Sequence, residues 1–183
     1  MIDRRTLLGA LAALPLASAC ALQAEAEGEA PAAASSLHTR LIPGSGKQVP
    51  VIGVGTSRRY NDPQGEEQLA ALRASIARFA GLGGQVIDTA PYYGRAEAVV
   101  GQLVEELGVR DRLFLATKVG VDSRAEGLAQ IEQSFRNLRT GHIDLIAVHN
   151  LRDVTNQLAI LRDLKAAGRI GALGVTTSSD QQY

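Results

Sequence analysis

Four polar residues recur along this chain at intervals of about thirty residues, and each one closes a short apolar run. They are Asp88, Lys118, His149 and Thr176, separated by 30, 31 and 27 residues. One strand-helix unit has this length, so the four residues are expected at equivalent ends of successive parallel strands. A (β/α)₈ barrel gathers the carboxyl ends of its strands on one face, where the catalytic groups of such barrels lie.

The composition excludes several classes of function. The 183 residues contain 19 basic and 19 acidic side chains, a balance that gives no reason to expect nucleic acid or an anionic membrane as the main partner. The single cysteine, Cys20, excludes an intramolecular disulfide and a cysteine metal cluster. His38 and His142 fall far from His149 in the predicted fold, so no metal site is predicted.

The first 19 residues have the layout of a signal peptide. Arg4 and Arg5 precede an apolar stretch at residues 7–16, and Ala17-Ser18-Ala19 is typical of a cleavage site. The paired arginines before two apolar residues resemble a twin-arginine export signal. An ordinary secretory signal or a cytoplasmic leader is the alternative.

Cys20 follows the cleavage site directly, and this arrangement resembles a bacterial lipoprotein signal. Ala17 stands where such signals usually have leucine, so a lipidated Cys20 and a free terminal thiol are both left open. Residues 20–40 are rich in Ala, Glu, Gly, Pro and Ser, which predicts a disordered spacer. We therefore expect an exported chain, periplasmic or anchored by lipid, with its folded part at residues 41–183.

The folded part alternates predicted strands and helices. A hairpin is predicted at residues 41–51, around Pro43-Gly44-Ser45-Gly46. Buried strands are predicted at residues 51–55, 86–88, 113–118, 143–149 and 170–176. Apolar residues at three- and four-residue spacing predict four helices between them. Their expected inward faces are Leu69, Leu72, Ile76 and Phe79; Val100, Leu103, Val104 and Leu107; Leu128, Ile131, Phe135 and Leu138; and Leu158, Leu161 and Leu164.

Local signals mark where these helices begin and end. Ser123 and Glu126 form a capping box that predicts the start of the third helix. Gly83-Gly84, Gly108 and Gly168 are predicted to stop the first, second and fourth helices.

The near-continuous apolar strands indicate an α/β fold with both faces of a parallel sheet covered. A doubly wound open sheet is the competing architecture. Its dinucleotide fingerprint is absent, because Gly53-Val54-Gly55 is followed by Thr56, Ser57 and Arg58 instead of the required third glycine. Periodicity alone does not separate that fold from the barrel.

The polar residues at the strand ends suit proton transfer to a carbonyl oxygen. Lys118 ends an apolar strand and needs a partner there, for which Asp88 is the candidate. Their pair would stabilise the phenolate of a nearby Tyr93, which could then act as a general acid, with His149 orienting the substrate. An external cofactor would supply the hydride. Taken singly, the same residues could be a helix cap, a surface lysine, a packing tyrosine beside Tyr92, and a core histidine.

Four ordered motifs over about residues 40–183 resemble the aldo-keto reductase family. They are Val-Ile-Asp-Thr-Ala-Pro-Tyr-Tyr-Gly-Arg-Ala-Glu, Leu-Ala-Thr-Lys-Val, Ile-Asp-Leu-Ile-Ala-Val-His-Asn, and Lys-Ala-Ala-Gly-Arg-Ile-Gly-Ala-Leu-Gly-Val-Thr. The resemblance implies a (β/α)₈ barrel that binds NADPH or NADH without a Rossmann domain. It places the family tetrad on Asp88, Tyr93, Lys118 and His149, with Tyr93 as the general acid.

The resemblance also implies cofactor-binding positions. Gly55 and Thr56 match the first-strand segment near the nicotinamide, and Asp88 lies beside it. Thr176 and Thr177 occupy positions where the family usually has Ser-Asn to hold the carboxamide. The hydroxyl is retained at the first of these positions, while the amide of the second is lost.

The chain carries only about the first five strand-helix units of such a barrel. We therefore expect it to belong to a reading frame of roughly 280–300 residues, and to be inactive alone. The expected activity is reduction of small-molecule aldehydes or ketones. The alternative is a reductase-like barrel that binds a nucleotide or a partner protein without turnover. An unrelated barrel isomerase or hydrolase lacks a matching nucleophile or metal motif.

Overall fold

The computed structural model describes residues 37–43 and 45–179. The predicted signal peptide at 1–19, Cys20 and most of the predicted spacer at 20–40 lie outside these residues. The described chain begins with a hairpin in which β1 (Thr39–Leu41) pairs antiparallel with β2 (Gln48–Pro50). Among the described residues, regular structure begins at Thr39, slightly before the expected boundary at residue 41.

Five parallel strands form the central sheet. They are β3 (Gly53–Gly55), β4 (Val86–Asp88), β5 (Phe114–Val119), β6 (Ile143–Val148) and β7 (Ile170–Val175). They are hydrogen-bonded in chain order, β3-β4-β5-β6-β7. A doubly wound sheet reverses its strand order at a switch point, and these strands do not. The order is that of successive units of a (β/α)₈ barrel, so the predicted fold class is confirmed and the doubly wound alternative is excluded.

One helix follows each of the first four strands of this sheet. The helices are α1 (Gly65–Gly81), α2 (Ala96–Leu107), α3 (Arg124–Asn137) and α4 (Val154–Ala166). Each packs against the next, as neighbours do in the outer ring of a barrel. The predicted cap of α3 is present, since the Ser123 hydroxyl accepts a hydrogen bond from the Glu126 N–H at 3.3 Å.

The inward faces of the helices follow the predicted periodicity, with one exception. Leu128 of α3 is 41% exposed, and Gly127 is buried instead. A Cβ at Gly127 would lie 2.2 Å from Oε1 of Gln157 on α4. The two helices approach closely at the glycine, so the predicted inward position of Leu128 is wrong: this leucine lies on the solvent side of that contact.

The predicted burial of the first strand is also wrong. Val51 and Ile52 are 46% and 74% exposed, and β3 begins only at Gly53. Within the described part of the chain, β3 pairs with β4 on one side and with no strand on the other. An edge strand has a neighbouring strand on one side only. Apolar side chains beside it are therefore less covered than those of a central strand.

A buried aspartate joins the hairpin to the amino end of the sheet. Asp144, the second residue of β6, has 6% of its side chain exposed. Its Oδ1 lies 2.5 Å from Nζ of Lys47 in the hairpin, and its Oδ2 accepts from Arg110 at 2.9 Å and from the Leu115 N–H at 3.0 Å. The hairpin is thereby fixed at the end of the sheet opposite the carboxyl ends of the strands.

No helix among the described residues is both long enough and apolar enough to cross a bilayer.

Candidate active site

Lys118 and Asp88 form an ion pair between adjacent strands. Lys118 is in β5 and Asp88 is the last residue of β4. The Lys118 ammonium lies 2.8 Å from Oδ1 and 2.7 Å from Oδ2 of Asp88, and 2.8 Å from the Thr89 carbonyl oxygen. Only 8% of the lysine side chain is exposed, against 47% for the aspartate. Three oxygen acceptors compensate the desolvation of this buried cation.

Tyr93 lies above this pair, in the turn between β4 and α2. Its N–H donates to the Ala90 carbonyl at 3.0 Å, and its carbonyl accepts from the Ala96 N–H at the start of α2. The Lys118 ammonium is 5.1 Å from the centre of the tyrosine ring, within the range of a cation–π contact. Among the described residues, the Tyr93 hydroxyl has no hydrogen-bond partner.

Gly94 lets the turn that carries Tyr93 pack against the segment before α1. A Cβ at Gly94 would lie 1.8 Å from the Asn61 Oδ1, and the Arg95 N–H donates to the Asn61 carbonyl at 2.8 Å. The glycine also has a φ of 56°, which L side chains rarely adopt. Local geometry therefore requires glycine at the position after Tyr93, in addition to its place in the motif.

His149 follows β6 and faces Tyr93. The two rings are 6.3 Å apart, centre to centre, and stand at 87° to each other. Burial and the nearby positive charge of Lys118 lower the pKa of His149 below its usual range, and the negative charge of Asp88 opposes them only in part. The imidazole is therefore neutral at neutral pH and can donate one ring N–H.

Gly55 and Thr56 lie beside Asp88. Gly55 is opposite Asp88 in the strand register. The N–H and the hydroxyl of Thr56 both donate to the Asp88 carbonyl, at 3.1 and 3.0 Å, and Thr56 is fully buried. Its side chain therefore supports the strand end, while the backbone at Gly55 is exposed.

Thr176 and Thr177 follow β7, next to the strand that carries His149. The Thr176 N–H donates to the Val148 carbonyl at 2.9 Å. The Thr177 hydroxyl accepts from the Ser179 N–H at 3.1 Å. Since β3 and β7 are the edge strands of the described sheet, the predicted cofactor residues flank the tetrad from both sides.

Gly120, Asp122 and Arg152 were not predicted from the sequence as site residues, and Tyr92 was predicted only as a packing neighbour of Tyr93. The structure gathers these residues around His149, beside a cavity of about 270 Å³ lined by Tyr92, Gly120, His149, Asn150 and Arg152. A usable signal was present: Gly120 and Arg152 each follow a tetrad residue by two or three positions. Among residues 37–43 and 45–179, no group of three His, Cys, Asp or Glu side chains could hold a metal ion.

Comparison with known proteins identifies the family. The model of the Aldo/keto reductase family matches residues 51–183, and the chain belongs to this family. It is 31% identical over 160 residues to the aldo-keto reductase YhdN of Bacillus subtilis, covering 77% of this chain and 47% of that protein. It is 35% identical over 149 residues to the methylglyoxal reductase YeaE of Escherichia coli, covering 76% and 50%.

Solved structures agree with this assignment. An aldo-keto reductase of Klebsiella pneumoniae in complex with NADPH matches with a TM-score of 0.59 and 30% identity, covering 75% of this chain and 49% of that one. The holo form of an aldo-keto reductase of Bacillus halodurans matches with a TM-score of 0.65 and 25% identity, covering 76% and 50%. The chain thus spans about half the length of the curated relatives it matches.

Proposed function

We propose that the full-length protein carrying this chain reduces aldehydes or ketones to alcohols, with NADPH as the hydride donor and NADH as a second donor to be tested. The observation that carries this proposal is the placement of the Lys118–Asp88 pair beneath the ring of Tyr93, with His149 facing that ring. A proton donor, a cation that stabilises its conjugate base, and a hydrogen-bond donor for the carbonyl oxygen stand at one strand-end face.

The residues around the tetrad fit a nicotinamide cofactor. Apart from its chain neighbours, no heavy atom of the described residues lies within 4 Å of the position that a Cβ would take at Gly55. This leaves an uncovered patch of backbone beside Asp88, and Thr176 and Thr177 add hydroxyl groups at the other edge of the sheet. Gly55, Asp88, Thr176 and Thr177 would contact the cofactor, which when bound supplies the hydride, and the fully buried Thr56 would support the strand end behind them.

The proton chemistry falls to the chain's own side chains. Tyr93 donates its hydroxyl proton to the substrate oxygen as the carbonyl carbon gains a hydride, so the products are the alcohol and a tyrosinate. Lys118 stabilises that tyrosinate by its charge while Asp88 and Thr89 hold the ammonium in place. Neutral His149 donates a hydrogen bond to the same substrate oxygen and orients the carbonyl. Solvent then returns the proton to Tyr93.

The test is carbonyl reduction by the full-length protein and its Tyr93→Phe variant, followed through NADPH absorbance with propanal, benzaldehyde and methylglyoxal. Loss of a general acid costs about 10²–10⁴ in rate, so we expect Tyr93→Phe to lose at least about a hundredfold in kcat. The variant should still bind NADPH with a Kd close to that of the parent, which shows that the fold is kept. Full activity in Tyr93→Phe would contradict the role of this residue. Binding of NADPH without reduction of any carbonyl would favour the nucleotide-binding alternative.

We also propose that the chain is exported by the twin-arginine route and that Cys20 becomes its first mature residue. The arginine pair Arg4-Arg5 and the small residues before Cys20 support this. Fractionation of cells expressing the parent and an Arg4→Lys, Arg5→Lys double variant tests export, which the double variant should abolish. Cys20→Ala should move a lipid-anchored protein from the membrane fraction to the soluble periplasm, and an unchanged distribution would exclude anchoring.

A further inference from the structure

We propose that Glu97 is a positioning residue that sets the separation between Tyr93 and Lys118 from the helix-covered face of the sheet. This inference rests on the proposed function and goes beyond it, because it gives a buried side chain outside the tetrad an effect on the reaction. Glu97 is the second residue of α2, and only 2% of it is exposed. It follows Tyr93 by four positions in the chain.

The Glu97 carboxylate is bound by two neutral donors. The Thr117 hydroxyl donates to Oε1 at 2.7 Å, and the Asn137 side-chain amide donates to Oε2 at 3.2 Å. Within the described part of the chain, no lysine or arginine pairs with it. Burying a carboxylate away from water costs free energy, and an apolar side chain of similar volume would fill this space without that cost. The carboxylate adds direction, because hydrogen bonds fix distance and angle whereas apolar contacts allow sliding.

Thr117 connects this carboxylate to the strand that carries the ammonium group of the site. Successive side chains of a strand point to opposite faces of the sheet. The Thr117 hydroxyl therefore meets α2 on one face, while the next residue, Lys118, reaches Asp88 from the other. Thr117 is 1% exposed. A shift of Thr117 relative to α2 is therefore also a shift of the backbone at Lys118.

The start of α2 moves together with Tyr93. The Tyr93 carbonyl accepts from the Ala96 N–H at 3.0 Å, and Glu97 is the next residue. The bond between Glu97 and Thr117 thus joins the segment that carries Tyr93 to the segment that carries Lys118. The Lys118 ammonium lies 5.1 Å from the centre of the Tyr93 ring. Because the attraction between unlike charges falls with distance, a wider separation would weaken the stabilisation of the tyrosinate.

The end of α3 holds the carboxylate from its other side. Gly101 lies one helical turn after Glu97, on the same face of α2, and a Cβ there would lie 2.1 Å from the Asn137 carbonyl oxygen. This close approach brings the Asn137 side chain to Glu97. The Asn137 Oδ1 accepts from Gln133 at 2.7 Å, which leaves the NH₂ group for the carboxylate. Glu97 is therefore fixed between β5 and α3.

The first experiment removes the Thr117 hydroxyl in the full-length protein. Thr117→Val keeps the shape of the side chain and breaks the bond to Glu97, whereas Thr117→Ser keeps the hydroxyl. With benzaldehyde and NADPH, we expect Thr117→Val to lower kcat about three- to thirtyfold, since small misplacements of reacting groups are costly. The KM for benzaldehyde and the Kd of NADPH should stay within about twofold of the parent. Retention of full kcat in Thr117→Val would overturn the proposal, as would an equal loss in Thr117→Ser.

The second experiment compares Glu97→Met with Glu97→Gln. Methionine fills the space but accepts no hydrogen bond from Thr117 or Asn137 of comparable strength, whereas glutamine can donate to the Thr117 hydroxyl oxygen and accept from the Asn137 amide. Glu97→Met should lower kcat as Thr117→Val does, and Glu97→Gln should restore most of it. An equal loss of kcat in both variants would exclude positioning through these bonds. This pair also decides the question if Thr117→Val does not fold.

Asp144→Asn is the matched control for lost stability. Asp144 is likewise a buried carboxylate bound to β5, but it accepts from the Leu115 N–H at the other end of the strand. Asp144→Asn and Glu97→Met should both lower the free energy of unfolding, and only Glu97→Met should lower kcat. An equal fall of kcat in the two variants would show that Glu97 acts through stability alone.

An NMR measurement separates this inference from the proposed function. The nuclear Overhauser effect between the Lys118 Cε protons and the Tyr93 ring protons reports their separation without turnover. It should weaken in Thr117→Val and Glu97→Met and persist in Thr117→Ser. If it weakens but the parent reduces no carbonyl, Glu97 sets the geometry and the reductase proposal fails. If the parent reduces carbonyls and the effect is unchanged in Thr117→Val, the reductase proposal stands and the positioning role is excluded.

Discussion

The ammonium of Lys118 lies between both carboxylate oxygens of Asp88, at 2.7 and 2.8 Å, although the two residues belong to different strands and are 30 positions apart. The parallel register brings the carboxyl ends of β4 and β5 to one level, and the pair is made there. The lysine is nearly buried while the aspartate is half exposed. The Asp88 carboxylate therefore fixes the position of the Lys118 ammonium and supplies its compensating negative charge.

Replacing Lys118 should raise the pKa of His149. Burial and the Lys118 charge lower that pKa in the parent, and Asp88 opposes them. In Lys118→Met the repulsion is gone and the Asp88 charge is unopposed, so the pKa moves up toward the usual value of about 6.5. NMR titration of the His149 ring protons measures the shift, and Lys165→Met, an exposed lysine on α4, is the control. A downward shift in Lys118→Met would contradict this electrostatic account.

The same lowered pKa predicts how stability depends on pH. The unfolded chain binds a proton at His149 below about pH 6.5, whereas the folded chain resists it until its own lower pKa is reached. The contribution of His149 to the free energy of unfolding is therefore fully present above about pH 6.5. It is lost as the pH falls from there to the pKa of His149 in the folded protein. In the full-length protein, His149→Gln should flatten the slope of the unfolding free energy against pH in that interval.

Asp144→Asn should lower the free energy of unfolding at neutral pH, and this loss should be smaller at acid pH. Burial opposes ionisation of Asp144, but hydrogen bonds from Lys47 and the Leu115 N–H, with the charge of Arg110, hold its pKa below the usual range. The contribution of a carboxylate with a lowered pKa is present above the unfolded value of about 3.9 and is lost as the pH falls through the folded value. Urea unfolding should show a cost of about 1–3 kcal/mol at neutral pH.

The control for Asp144→Asn is Asp163→Asn. Asp163 also pairs with an arginine, but 70% of its side chain is exposed. Exposed ion pairs contribute about 0–1 kcal/mol. Equal losses of unfolding free energy in the two variants would show that burial of Asp144 does not strengthen its contribution to stability.

Two helical glycines should respond in opposite directions to alanine. A Cβ at Gly101 of α2 would lie 2.1 Å from the Asn137 carbonyl oxygen of α3, whereas a Cβ at Gly81, the last residue of α1, would meet no heavy atom of the described residues within 4 Å. Gly101→Ala should therefore destabilise the fold by about 1–3 kcal/mol. Gly81→Ala should stabilise it by about 0.4–1 kcal/mol, because alanine restricts the unfolded chain. Thermal unfolding of both variants decides the sign.

Ile131 and Leu128 of α3 give a direct test of which face is inward. Ile131 is 1% exposed and Leu128 is 41% exposed. Ile131→Ala should cost about 2–5 kcal/mol through the lost contacts and the cavity, and Leu128→Ala less than about 1 kcal/mol. Similar losses of unfolding free energy in the two variants would mean that Leu128 is covered and not exposed.

The strand ends were predictable because each carries a polar residue after an apolar run, at the spacing of one strand-helix unit. That spacing places Asp88, Lys118 and His149 on one face without knowledge of any contact. Helix boundaries were predictable where a local signal exists, as at Ser123 and at Gly108, which ends α2 in a left-handed conformation.

Other features depend on contacts that leave no local signal. Leu128 lies outward because Gln157 of α4 approaches the neighbouring Gly127 of α3. The exposure of Ile52 follows from its place beside an edge strand. The contact of Arg152 with Tyr92 spans 60 residues of sequence, so no periodicity in either segment could have indicated it.

The bond between Lys47 and Asp144 has a consequence for how the chain is made. Lys47 leaves the ribosome 97 residues ahead of its partner, and during that interval its charge stays hydrated while the helices and strands in between are still being synthesised. The hairpin therefore cannot make this bond until β6 has been synthesised.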